Sequence, residues 1–209
     1  MTKVSKRSET KEEIANAITH GIGALLAVAA LVILTIQADA QHRIGYIIFG
    51  IALVTLYLVS TLYHSFTNPK VKELFRKFDH IAIFFLIAGT YTPFCLTILD
   101  GWVKWTLLAI VWSCVLIGMV MKWLFIGKFE WLSVAMYILT GWMVIFAIKP
   151  IYDFLTFPGF LFLVFGGVAY TLGTYFYMNT RIRYNHSIWH LFVLAGSCFH
   201  FFSVLSLVS

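Results

Sequence analysis

Long runs of apolar residues fill almost the whole chain and are separated by short polar breaks. A helix needs about 20 apolar residues to cross the hydrocarbon core of a membrane, which is roughly 30 Å thick. Seven runs approach or exceed that length, and we place them at Ala15–Ala38, Ile44–Phe66, Phe78–Leu99, Val103–Leu124, Trp131–Ile148, Phe157–Met178 and His186–Val208. They are too long and too continuously apolar for barrel strands of about ten residues. The pattern therefore predicts an all-α membrane protein, a bundle of seven transmembrane helices.

Basic residues are concentrated in alternate breaks, and their distribution predicts the orientation of the bundle. Twelve of the 15 lysines and arginines lie in the N-terminal tail and in the second, fourth and sixth connections. Because cytoplasmic connections carry the excess of Lys and Arg, the N-terminus is predicted to be cytoplasmic and the C-terminus extracytoplasmic. Residues 1–13 are of mixed charge and lack apolar periodicity, so we expect a solvated cytoplasmic tail or a short surface helix there. Residues 14–209 then form a single transmembrane domain.

The composition agrees with this class and excludes others. Of the 209 residues, 61% are apolar and 11% are charged, which is not the composition of a soluble domain. The net charge of +6 is explained by a cytoplasmic surface that faces anionic lipid, and it does not indicate nucleic-acid binding. We therefore expect a multi-pass protein of the cell membrane, which in a bacterium is the inner or plasma membrane.

A pair of histidines at the start of the last apolar run is the first candidate for chemistry. His186 and His190 are four residues apart, so they lie on one helix face, roughly 6 Å apart, and can reach one metal ion. A catalytic zinc usually takes three protein ligands, so a third must come from elsewhere. The alternative is that both histidines lie at the membrane interface and bond to backbone and lipid headgroups.

The direction of the spans brings further polar residues to the same side of the membrane. Ser60 and His64 are also four residues apart, at the cytoplasmic end of the second span, and Asp79 begins the third. A carboxylate at the edge of a hydrocarbon span is expensive unless it is partnered, which makes it a functional candidate. Because the second span ends where the third and seventh begin, these side chains can converge with the histidine pair. We therefore predict a metal site at the cytoplasmic end of the bundle.

Other polar positions have simpler explanations. His20 enters the first span at the same end, where it can cap the helix or bond to a neighbour, and it is a reserve candidate for the site. His200 lies about 15 Å beyond the histidine pair, so we treat it as a satisfied buried histidine that lines a cavity at most. Asn68 as N-cap and Pro69 at N1 predict a short basic helix, Pro69–Lys77, along the inner membrane surface.

The joint pattern resembles that of a known family, the haemolysin III group of the progestin and adipoQ receptor superfamily, which includes adiponectin receptors and is related to alkaline ceramidases. The matching residues are Asn16, Thr19, His20, Ser60, His64, Asp79, His80, His186 and His190. The resemblance implies a Zn²⁺ ion on His64, His186 and His190. It also implies that Asp79 holds or activates a water molecule, with Ser60 beside it.

Two functions from different classes follow as hypotheses. The first is a zinc-dependent intramembrane hydrolase of a lipid amide or ester that serves membrane lipid homeostasis. Its substrate or ligand would be a membrane lipid, such as a ceramide-like lipid or a fatty acid. In it Asp79 is the general base and Ser60 bonds the developing oxyanion or orients a ligand. The alternative is a membrane protein without turnover, either a metal-stabilised regulator or lipid sensor or a pore-forming haemolysin.

Overall fold

The computed structural model describes residues 3–208, with the side chains of residues 10–208, and its secondary structure is helical throughout that part of the chain. Eight α-helices and one 3-10 segment follow in order: α1 (Lys3–Gln37), α2 (Arg43–Ser65), α3 (Pro69–Ile98), α4 (Gly101–Phe125), α5 (Glu130–Gly141), the 3-10 segment (Trp142–Ala147), α6 (Ile148–Phe154), α7 (Phe157–Met178) and α8 (Asn185–Leu205). The fifth span combines α5, the 3-10 segment and α6, so seven segments are long and apolar enough to cross a membrane. The predicted bundle of seven helices is confirmed.

The first helix begins well before its apolar run. Residues 3–13, for which the sequence predicts a tail, continue α1 towards the N-terminus without a break. The acidic side chains of Glu12 and Glu13 contact α8, α2 and α3 in that region. Tertiary contacts, which helix propensity does not report, therefore stabilise this polar turn.

The prediction of a separate surface helix at Pro69–Lys77 is wrong, because these residues form the first turns of α3. The predicted cap is correct: the side chain of Asn68 accepts hydrogen bonds from the backbone N–H groups of Lys70 and Val71, at 3.0 and 3.3 Å. Once the helix is nucleated there, no glycine or proline interrupts it before the apolar run, so it propagates directly into the membrane.

A tyrosine from α3 interrupts the hydrogen-bond ladder of the fifth span. The hydroxyl of Tyr91 lies 2.9 and 2.7 Å from the carbonyl oxygens of Thr140 and Gly141, and it accepts from the backbone N–H of Val144 at 2.8 Å. An unbroken α-helix would join Val144 to Thr140 directly. A side chain inserted into the ladder is a known cause of a break, and it accounts for the 3-10 segment at this point.

The helix α3 lies at the centre of the bundle, and α1 lies at its periphery. Of the residues in the most apolar stretch of α3, 61% are buried inside the protein, compared with 28% in the corresponding stretch of α1. Large apolar side chains such as Leu25, Ile36 and Phe146 are exposed, as expected for surfaces that contact lipid. Gly89 allows the close approach of α2 and α3, since a Cβ atom there would lie 2.6 Å from that of Ala52.

Candidate metal centre

Three histidines from two helices meet at one end of the bundle. His64 lies in the last turn of α2, and His186 and His190 lie in the first two turns of α8. The ring centroids are 4.8 to 5.1 Å apart, and one nitrogen from each ring lies within 4.8 Å of the other two. The convergence predicted from the direction of the spans is therefore present in the structure.

The hydrogen bonding of these rings fits a metal ion. The Nε2 atoms of His64 and His186 are buried and have no hydrogen-bond partner in the described part of the chain. The hydroxyl of Thr19 donates to the carbonyl of Ala15 at 2.9 Å and lies 3.4 Å from Nδ1 of His190. With its hydrogen on that carbonyl, the Thr19 oxygen accepts from Nδ1 of His190, and Nε2 of a neutral ring then keeps its lone pair. Unpaired buried nitrogens are costly, and a cation would satisfy them. Neutral imidazoles suit Zn²⁺, among other transition metals.

Polar side chains of α1 contact all three histidines, since two glutamates contact the two that Thr19 does not. Oε2 of Glu13 lies 3.1 Å from Nδ1 of His64, and Oε1 of Glu12 accepts a hydrogen bond from the backbone N–H of His186 at 3.3 Å. Asn16 accepts from the hydroxyl of Ser187 at 2.5 Å. These contacts fix the start of α8 against α1, and so they fix the position of the two histidines of α8.

A cavity of about 110 Å³ extends from the cluster into the bundle. His190 forms part of its wall, together with Ser60 and Asp79. Most of the remaining lining is apolar, and it includes Leu56 and Val193. The hydroxyl oxygen of Ser60 is buried, and no side chain or backbone group between residues 10 and 208 forms a hydrogen bond with it. The carboxyl of Asp79 lies outside the group of clustered nitrogens but faces the same cavity.

His20 joins the cluster through a ring contact. Its ring is stacked on that of His190, with centroids 3.5 Å apart and 9° between the planes, and it meets Tyr57 edge-on at 5.0 Å. Both of its nitrogens are buried without a hydrogen-bond partner, and its side chain lines the cavity. The prediction that His20 enters at the same end as the site is therefore confirmed.

The two other histidines of the bundle interior hydrogen-bond to the backbone. Nδ1 of His80 donates to the carbonyl of Arg76 at 2.8 Å, and its Nε2 lies 3.3 Å from the hydroxyl of Tyr177. Nδ1 of His200 donates to the carbonyl of Gly196 at 2.8 Å, and its ring lines the cavity. The description of His200 as a satisfied buried histidine is confirmed.

Sequence analysis does not identify two groups of polar residues near the site. The first is Glu13; its spacing of three residues from Asn16 and seven from His20 places all three on one face of α1, a signal that the sequence does carry. The second is the ion pair of the fully buried Lys122 with Glu130, whose carboxylate also accepts from Tyr177 at 3.2 Å. No spacing rule links these two residues, which lie on either side of a tight loop.

Comparison with known proteins gives consistent matches over nearly the whole chain. A family model described as "Haemolysin-III related" matches residues 8–201. The chain is 50% identical to "Hemolysin-3" of Bacillus cereus over 199 residues, which are 93% of this chain and 91% of the relative. It is also 50% identical to "Hemolysin-3 homolog" of Bacillus subtilis, over 93% of both chains. The human "Monocyte to macrophage differentiation factor" is 26% identical over 204 residues, 92% of this chain and 83% of the relative.

Proposed function

The chain belongs to the haemolysin-III-related family of membrane proteins, and on that premise we propose that it is a zinc-dependent hydrolase of a lipid amide or ester. Its seven apolar helices make it a multi-pass membrane protein, and its bacterial relatives point to the plasma membrane. The observation that carries the proposal is that three histidines cluster and that one of them, His190, lines a mostly apolar cavity that Ser60 and Asp79 also line.

The proposed ligands of the zinc are His64, His186 and His190. Three histidines with an open fourth position are a typical donor set of a catalytic zinc. A bound Zn²⁺ supplies a Lewis acid for the carbonyl and lowers the pKa of a water molecule to about 7. The stated alternative, a purely structural metal, would close the fourth position with another protein ligand.

The proposed catalytic residues of the chain itself are Asp79 and Ser60. A carboxylate of the cavity wall can take a proton from the attacking water and pass it to the leaving amine or alcohol as the carbon–nitrogen or carbon–oxygen bond breaks. The hydroxyl of Ser60 has no hydrogen-bond partner among the residues that the structure describes, so it can donate a hydrogen bond to the oxyanion that develops on the carbonyl oxygen.

The proposed substrate is a membrane lipid with one acyl chain in the cavity, such as a ceramide-like amide. Apolar side chains including Leu56, Ile83, Leu86, Ile87 and Val193 line the space beyond the histidines. They would remove an acyl chain from water and exclude water from the cavity. A fatty acid would then be the product, and the role of the protein would be membrane lipid homeostasis.

The test is turnover by the purified full chain in lipid nanodiscs. Vesicles of N-acyl sphingoid lipids and of acyl esters are supplied, and released fatty acid is measured by mass spectrometry together with zinc content. We expect release by the wild type and its loss in Asp79→Asn with zinc retained, because only the proton acceptor is removed. Equal release by wild type and Asp79→Asn would contradict the proposed role of the carboxylate.

The second candidate is membrane lysis, which the names of the two Bacillus relatives favour. In that case the same nanodisc assay shows no fatty-acid release, and the wild type and Asp79→Asn permeabilise dye-loaded vesicles equally. A metal-stabilised lipid sensor would bind zinc and lipid but show neither release nor leakage.

A further inference from the structure

We propose that Glu13 is a positioning residue that holds His64 with its Nε2 atom turned towards the metal. This inference rests on the proposed zinc site and adds to it a residue from the polar turns that precede the first apolar run. The two groups belong to different helices, α1 and α2, and Oε2 of Glu13 lies 3.1 Å from Nδ1 of His64.

The donor and acceptor roles follow from the chemistry of the two groups. A carboxylate has no proton to donate, so it accepts a hydrogen bond, and Nδ1 of His64 must carry the hydrogen. In a neutral imidazole the other nitrogen, Nε2, then keeps its lone pair. That atom of His64 is buried and has no other partner in the described part of the chain. The contact therefore specifies which nitrogen of His64 can bind a cation.

One neighbouring contact favours the opposite arrangement. Nδ2 of Asn16 lies 3.5 Å from the same Nδ1 of His64, and an amide N–H group there would prefer an unprotonated Nδ1. The carboxylate contact is shorter and involves a charged acceptor. Hydrogen bonds to charged groups are shorter and stronger than those between neutral groups. Glu13 therefore determines the arrangement, and Asn16 is held in place by Ser187.

A lysine of α3 fixes the carboxylate that orients the ring. Nζ of Lys72 lies 2.6 Å from Oε2 of Glu13 and also donates to the carbonyl oxygen of Tyr63 at 3.3 Å. The side chain of Glu13 is 36% exposed and that of Lys72 is 29% exposed, while that of His64 is only 2% exposed. These contacts, from Lys72 to Glu13 and from Glu13 to His64, thus connect the solvated edge of the bundle with the buried imidazole.

A carboxylate that accepts from a metal-binding histidine has a measurable consequence. Such partners fix the ring and raise its basicity as a ligand, and their loss typically lowers metal affinity about 10- to 100-fold. We expect zinc affinity to fall about 10-fold in Glu13→Gln, which keeps the shape of the side chain. In Glu13→Ala, which removes the acceptor altogether, we expect a fall closer to 100-fold.

The experiment measures zinc affinity and the His64 tautomer in the purified full chain. Affinity is obtained by competition with a chromophoric chelator for the wild type, Glu13→Gln and Glu13→Ala. The matched control is Glu73→Gln, which removes the same charge from an exposed α3 residue that pairs with Arg76. The tautomer is read from ¹⁵N NMR of histidine-labelled, metal-free protein, with a His64→Gln sample to assign the signal. We expect protonated Nδ1 in the wild type and in Glu73→Gln, a weaker preference for it in Glu13→Gln, whose amide oxygen still accepts, and a loss of the preference in Glu13→Ala.

The outcomes separate this inference from the proposed function. If the wild type binds zinc but the Glu13 variants bind it as tightly as Glu73→Gln, the positioning role is overturned while the zinc site stands. A wild-type tautomer with protonated Nε2 overturns the positioning role in the same way. If the wild type binds no zinc, the metal proposal and the positioning role both fall. If a Glu13 variant aggregates, the tautomer of His64 in the wild type still tests the positioning role, because that measurement needs no substitution at Glu13.

Discussion

The rings of His20 and His190 lie parallel, with their centroids 3.5 Å apart and 9° between their planes. His20 is 3% exposed, and its nitrogens have no hydrogen-bond partner among the described residues. It packs against the proposed ligand His190 but lies outside the group of three histidines whose nitrogens cluster. We predict that His20→Phe keeps the zinc stoichiometry of the wild type, because an aromatic ring preserves the stacking surface. Metal content and melting temperature check this, and a loss of zinc in His20→Phe would make His20 a ligand.

The Tyr91 hydroxyl predicts a specific loss of stability. Tyr91→Phe leaves the carbonyl of Thr140 and the N–H of Val144 without the bridge that joins them, and an unsatisfied buried polar group costs about 1–3 kcal/mol. We expect a lower free energy of unfolding, measured by denaturation in detergent micelles. The control is Tyr152→Phe, since Tyr152 is 54% exposed. Equal stability of the two variants would show that the fifth span closes its own ladder once the hydroxyl is gone.

The buried ion pair predicts an asymmetry between its two partners. Lys122 is fully buried and lies 2.8 Å from Oε2 of Glu130, whose side chain is 29% exposed. Removing one partner of a buried pair costs about 3–5 kcal/mol, because the other charge is left unpaired. We expect Glu130→Ala to cost about 3 kcal/mol. Lys122→Met should cost less, because solvent and Tyr177 still satisfy the carboxylate. Unfolding of both variants measures this, and the reverse order would contradict it.

The proposed metal site predicts that the melting temperature falls when metal is removed. A ligand that binds only the folded state stabilises it by about 2.7 kcal/mol when its free concentration is about 100 times Kd. We therefore expect a chelator to lower the melting temperature of the wild type and zinc to restore it. In His64→Ala the melting temperature should not respond to either addition. A wild type that does not respond would indicate that zinc, if bound, does not hold α2 to α8.

Much of the fold is readable from sequence because the membrane imposes a simple rule. Each span must be a long apolar helix, so the seven runs locate the seven helices, and their alternating direction brings His64 to the end of the bundle where His186 and His190 lie. The residue types at these positions then indicate the metal. This part of the site could be predicted because each element carries its own local signal.

The remaining parts depend on contacts between helices. Glu13 lies before the first apolar run, and hydropathy cannot distinguish a solvated carboxylate from one that bonds His64. Tyr91 is one of several polar residues near Pro93, and only the packing of α3 against the fifth span shows that its hydroxyl replaces a backbone bond. Mixed charge predicts a tail at residues 1–13 and basic charge predicts a surface position for the helix at Pro69–Lys77. Charge alone does not end a helix, however, and residues 3–13 and Pro69–Lys77 belong to α1 and α3.

The most direct test of the zinc site is the zinc content of the purified chain, measured by plasma mass spectrometry after washing out loosely bound metal. We compare the wild type with His190→Ala and, as a matched control, His42→Ala, because His42 is a histidine of the opposite connection that pairs with Asp39. The account predicts one zinc per chain in the wild type and in His42→Ala, and almost none in His190→Ala. Equal zinc in His190→Ala and the wild type would contradict it.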